Sequence, residues 1–217
     1  SIDSFVPEKP LATAATNTSL PAEIDFTFVS LKETPNGFMF QAGVRDINNS
    51  AYCFDFGLPG ASVVRGTGTN TTKVYFYLDT DGNTANGCGA PTTGGVNHST
   101  KFDFIVQHIA TRSGSTAEAR TLYKCTDDAW GPTNVFVSSR PTDSCRSVHT
   151  GTTTRGQFAL MIDKEALAKF AEYKKTAQMR VLVTVGDSNS TRSAPNKTLG
   201  PGTYSPGSFG FIPVDCS

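Results

Sequence analysis

The segment Lys73–Gly89, KVYFYLDTDGNTANGCG, constrains this chain more than any other. Val74, Phe76 and Leu78 alternate with Tyr75 and Tyr77. An extended backbone reverses side-chain direction at every residue, so the two sets lie on opposite faces of a strand. That strand runs straight into a loop carrying Asp79, Asp81 and Asn83 two residues apart. Where the chain turns, three oxygen-bearing side chains at this spacing can fold around one hard cation. Calcium takes roughly six to eight oxygens and suits such a loop better than zinc or copper. An EF-hand is excluded. Counted from Asp79, the position that needs Gly is Thr84, and the position that needs a bidentate Glu is Ala90. Further oxygens must come from backbone carbonyls or a neighbouring strand. Asp103, within Phe102-Asp103-Phe104, is the expected lender, its flanking aromatics facing the core and pushing it outward. The blander reading is that Asp79 and Asp81 only make Asx-type turns.

At 217 residues the chain suits one large all-β domain and buries a sizeable core without a partner. Its formal charge is zero. No basic excess points to nucleic acid, and no run of about 18 apolar residues provides a membrane-spanning segment. The chain opens at Ser1 without a Met or an apolar leader, which a removed signal peptide or a trimmed chain explains. Six Asn-x-Ser/Thr sequons, at Asn17, Asn48, Asn70, Asn97, Asn189 and Asn196, matter only where the source glycosylates. Five cysteines with no CxxC pair fit an oxidising compartment better than a zinc knuckle. Cys125–Cys145 is the expected bridge because it pins the polar loop between them. Cys53–Cys88 comes second, leaving Cys216 free or intermolecular. Together these features suggest a protein that is secreted, extracellular or held at the cell surface.

Residues 1–22 hold Pro7, Pro10 and Pro21 and read as an extended N-terminal arm or linker before a domain spanning 23–217. Ile24, Phe26 and Phe28 alternate with polar residues, Thr34-Pro35-Asn36-Gly37 makes a turn, and Phe38, Phe40 and Ala42 resume. Further strands are expected at 52–56, 74–78, 102–108, 120–123, 135–138, 158–162, 179–185 and 209–214. About ten strands separated by Gly-, Thr- and Asn-rich loops predict an antiparallel β-sandwich. One short capping helix is expected over Lys164–Lys175, with Asp163 as its N-cap and Leu167, Phe170 and Ala171 on one face.

The order LDTDGNTANGC, then KFDFIV, resembles secreted calcium-binding sandwiches related to DOMON domains and family 9 carbohydrate-binding modules. Thr121–Trp130, Gln157–Leu167 and Val181–Asp187 with Ala194-Pro195 after it follow in the order of that family, over about residues 24–215. The resemblance implies the fold and a calcium held by Asp79, Asp81, Asn83 and Asp103. Two departures matter. The family's sugar binders clamp a sugar between two Trp rings, whereas this chain has only Trp130. Its GADY-like motif reads Lys101-Phe102-Asp103-Phe104, keeping the Asp and losing the Gly.

Methanotroph surface copper proteins are similar sandwiches that use His and an oxidised Trp. The candidates here are His98, His108, His149 and Trp130, without the Trp-x-His spacing of those proteins. Haem-binding relatives use Met and His, but Met39, Met161 and Met179 fall in strand patterns and suit the core. No nucleophile elbow, HExxH or P-loop appears. The expectation is a non-catalytic binding or structural/assembly module stabilised by calcium, with a copper-binding protein and a carbohydrate-binding module as the alternatives. Other surface proteins, copies of itself or glycans are the expected partners, the arm being suited to adding a strand to a neighbour's sheet.

Overall fold

The computed structural model describes residues 10–21, 24–45, 71–111, 119–139, 145–150, 153–187 and 189–207. The first half of the chain supplies β1 (Ala12–Thr13), β2 (Phe26–Glu33), β3 (Gly37–Val44), β4 (Thr71–Asp79), β5 (Cys88–Thr92), β6 (Gly95–Phe102) and β7 (Phe104–Thr111). The second half supplies β8 (Ala119–Thr126), β9 (Ala129–Phe136), β10 (Ser138–Ser139), β11 (Cys145–Thr150), β12 (Thr153–Asp163), α1 (Lys164–Leu167), β13 (Met179–Gly186) and β14 (Lys197–Tyr204). One layer is ordered β1-β2-β3-β12-β10, with β11 also paired to β12. The other is ordered β14-β13-β4-β7-β8-β9, and β5 pairs β6 as a separate hairpin. The expected antiparallel β-sandwich with one short helix is the observed architecture.

Alternation along the strands builds the core. Phe38, Phe40, Ala42 and Val44 of β3 meet Val74, Phe76 and Leu78 of β4 between the layers, joined by Val181, Val183 and Val185 of β13. The rings of Phe40 and Phe76 lie 5.4 Å apart. Tyr75 and Tyr77 turn to the other face of β4, yet both are buried. There they join Ala90, Phe102, Ile105 and Leu182 in a second cluster, with Tyr123 and Trp130 packed against it. A strand apolar on both faces needs cover on both, and β5–β6 contributes Ala90 and Phe102 to the outer cover. The expected turn also forms: Thr34 N–H donates to the Gly37 carbonyl at 2.8 Å and joins β2 to β3.

Several expectations are corrected. The helix expected over Lys164–Lys175 is a single turn, and Asp163 occupies the N-cap position without a side-chain cap bond. Beyond it the chain continues in tight turns, with Phe170 N–H bonded to Leu167 and Tyr173 N–H to Phe170. The backbone there is engaged elsewhere: Thr80 Oγ1 donates to the Glu172 carbonyl at 2.8 Å, and Lys174 N–H donates to the Thr80 carbonyl. The capping role survives, because Leu167 and Tyr173 are buried in the core and Phe170 packs on Phe104.

Residues 1–22 read as an extended arm or linker, and over residues 10–21 that stretch is part of the sandwich. β1 pairs with β2, and Leu11, Ala12, Ala14 and Leu20 pack on the core. Buried Asp25 fastens this stretch, accepting from Asn17 N–H at 2.8 Å and from Arg45 Nε at 2.8 Å, and pairing with Lys197. Lys197 Nζ in turn donates to the Ala15 carbonyl at 2.9 Å. The strands expected at 52–56 and 209–214 lie outside the described residues.

A disulfide joins Cys88 to Cys125, so neither Cys125–Cys145 nor Cys53–Cys88 forms. The reason is the layering. β5 lies near β8 over the outer face of one layer, whereas Cys145 belongs to β11 in the other. The bridge closes a separation of 37 residues. In the chain-entropy account, replacing both cysteines with Ala is expected to cost about 4 kcal/mol. Urea unfolding of the double variant measures this, and an unchanged midpoint would sink the expectation.

Candidate metal centre

The site forms where β4 ends. Asp79 closes the strand, and the chain turns through Gly82 and Gly87, both at positive φ. At Gly87 no other residue fits, because an added Cβ would lie 2.3 Å from the Phe102 carbonyl oxygen. The chain thus passes against the end of β6 before entering β5 at Cys88. Asp103 sits at the break between β6 and β7. Its N–H donates to the Leu78 carbonyl at 2.8 Å, and its own carbonyl accepts from Cys125 N–H at 2.8 Å. The break changes the expected facing of the flanking rings. Phe102 packs in the outer cluster and Phe104 in the inter-layer core. Asp103 is therefore buried between them, 2 % exposed, rather than pushed outward.

Carboxylate oxygens of Asp79, Asp81 and Asp103 all lie within 4.8 Å of one another. Each has local partners. Asp79 Oδ1 accepts from Gly82 N–H at 3.0 Å, and Asp103 Oδ2 from Thr80 N–H at 2.8 Å. Asp81 accepts from Asn83 N–H and from Asn86 Nδ2. Asn83 is exposed, and its Oδ1 accepts from Ala85 N–H at 3.0 Å. The Asx-type turns of the blander reading are thus real, but they leave one atom unexplained. Asp79 Oδ2 is buried with no hydrogen-bond partner, although Asp79 itself is 0 % exposed. An unpaired buried carboxylate oxygen is costly.

The electrostatics have the same focus. Burial pushes the Asp79 carboxyl above its usual range, and contact and repulsion from Asp81 push further. Burial also raises Asp103 to about 7, the charges of Asp81 and Asp79 adding to it against the Thr80 N–H bond. Burial beside neighbouring carboxylates disfavours ionisation of Asp79 and Asp103, and a divalent cation among them would reverse that balance. The donor set is all oxygen, which fits calcium rather than a thiophilic or imidazole-seeking metal.

The copper candidates are dispersed. His108 lies in β7, where Phe104 and Val106 at the same alternation face the inter-layer core. Trp130 lies on the opposite, outer face of that layer, its ring 5.8 Å from Tyr77. His98 falls in β6 and His149 in β11 of the other layer. Among the described residues, the acidic triad is the grouping of three or more metal-ligating side chains.

No protein-family model matches the chain, and no curated protein sequence matches it. Among solved structures, it aligns with one from Bacteroides uniformis described as "a putative carbohydrate-binding protein". That alignment covers 94 % of this chain and 80 % of the other at 10 % identity, with a TM-score of 0.43. A likeness that distant carries no argument here, so the reading below rests on the site itself.

A carboxyl whose folded pKa is raised adds stability below its unfolded value, near 3.9 for Asp, and loses it as pH rises through the folded value. With Asp103 at about 7, the metal-free protein should lose melting temperature between pH 5.5 and pH 8, on the order of 5–10 °C. Asp103→Asn should flatten that slope. Calorimetry in chelator measures both, and a melting temperature that climbs over the same interval would contradict the electrostatic account.

Proposed function

We propose that the chain is a calcium-stabilised, non-catalytic β-sandwich acting as a binding or structural module outside the cytoplasm. The observation that carries the reading is Asp79 Oδ2, buried without a partner on a residue whose carboxylate stands within 4.8 Å of those of Asp81 and Asp103. A calcium ion there would accept that oxygen, neutralise the mutual repulsion of the carboxylates and draw on Asn83 or backbone carbonyls for further ligands. Its work is mechanical. It would tie the end of β4 to the start of β7 and stiffen the loop that leads to Cys88, and so fix the β5–β6 hairpin over Tyr75 and Tyr77. The Cys88–Cys125 bridge supports an oxidising compartment.

Elemental analysis of the natively purified protein is expected to give about one calcium per chain. At a free calcium concentration a hundredfold above the dissociation constant, binding adds about 2.7 kcal/mol of stability. Asp81→Ala should therefore lower the melting temperature in calcium and change little in chelator. Equal losses in the two buffers would refute a ligand role. Stoichiometric copper in place of calcium would overturn the reading and direct mutation to the His set.

A further inference from the structure

The inner face of the layer that contains β4 changes character at β8. Register sets Leu122 across from Val106 and Lys124 across from Phe104. Side chains directly opposite in an antiparallel pair share a face. Lys124 therefore lies on the side where Leu122, Val106 and Phe104 build the inter-layer core. A lysine there breaks the apolar row, and such breaks gather at functional sites. The next strand continues the same face: Gly131 of β9 pairs with Lys124, and Val135 packs against the core.

Between β8, β9 and the turns after α1 this face opens into a groove of about 520 Å³, with Lys124, Gly131, Asn134, Val135, Lys169 and Phe170 along it. That volume falls in the range of small-molecule sites, roughly 300–1,000 Å³. Its charge is one-sided. Two ammonium groups line it, and none of its lining side chains is acidic. Glu172 balances one of them, its Oε1 lying 2.9 Å from Lys124 Nζ. An ammonium carries three donors, and this pair uses one. Among the described residues, no ion pair engages the exposed Lys169.

The remaining walls are apolar or open. Phe170 packs on Phe104, ring centroids 5.4 Å apart, and stays partly exposed. At Gly131 an added Cβ would meet nothing within 4 Å, and its φ lies outside the left-handed region. From this geometry we infer that the groove binds a small organic acid whose carboxylate is carried on a ring. The ammonium groups take the carboxylate, Phe170 and Val135 take the ring, and the Asn134 amide bonds its polar substituents. The same chemistry comes from a free aromatic acid or from the uronate of an acidic sugar, and the test separates the two. None of Asp79, Asp81 and Asp103 lines the groove, so binding here does not depend on calcium at the acidic loop.

The full chain is titrated in chelator by isothermal calorimetry, with benzoate and glucuronate set against neutral benzyl alcohol and glucose at constant ionic strength. At least one acid should bind saturably, and its neutral counterpart should not. Lys169→Gln should weaken that binding roughly tenfold or more, the scale of a lost charge-assisted bond. Gly131→Leu, which grows a side chain into the groove, should abolish it without lowering the melting temperature. Tighter benzoate assigns a free aromatic acid and tighter glucuronate an acidic sugar, while equal affinities support the ring-borne carboxylate they share. No saturable heat with either acid, or a neutral counterpart that binds as well, overturns the site. So does an affinity unchanged in Lys169→Gln or in Gly131→Leu.

Discussion

The structure depends on a buried carboxyl residue set where two strands part. Asp103 ties itself to two segments by three bonds: its N–H bonds the end of β4, its carboxylate caps Thr80 just beyond, and its carbonyl bonds β8. The break it makes sends Phe102 to one face of the layer and Phe104 to the other. A neutral side chain could cap Thr80, but it would bring no charge to a cation. The acid is therefore a liability while buried unpaired and would be an anchor with a metal beside it.

That anchor organises a layer packed on both sides. β4 is buried on its inner face by the sandwich core and on its outer face by the tyrosine cluster. The outer cluster is covered in part by a hairpin that reaches it through the acidic loop, with Cys88–Cys125 fastening the far side. Loop, bridge and hairpin thus share one task, the cover of the tyrosine cluster. The groove between β9 and α1, lined by Lys124, Asn134, Lys169 and Phe170, lies apart from this arrangement and encloses about 520 Å³.

Much of this was legible in the residues, for physical reasons that differ from place to place. Strict alternation from Val74 to Leu78 announced a strand with two faces, and Asp79 to Asn83 announced an oxygen-lined turn. Asp103 is legible as a candidate ligand, but its orientation is not, because a strand break leaves no mark in composition. Lys197–Tyr204, KTLGPGTY, carries no strand signal of its own, since pairing with β13 rather than alternation makes it a strand. Helical spacing alone overstates the helix because it cannot reveal that Thr80 engages the backbone at Glu172 and Lys174. The cysteine pairing depended on which layer each strand joined, which is not a local property.

The Asp25–Lys197 pair joins residues 172 apart in sequence, and the layers are stitched by similarly distant partners, β3 with β12 and β4 with β13. Long-range antiparallel pairings of this kind form late, because loop-closure entropy must be met before they return any stability. A chain emerging from the ribosome therefore lacks one partner of Asp25 and one of β13 until Lys197–Tyr204 has been made.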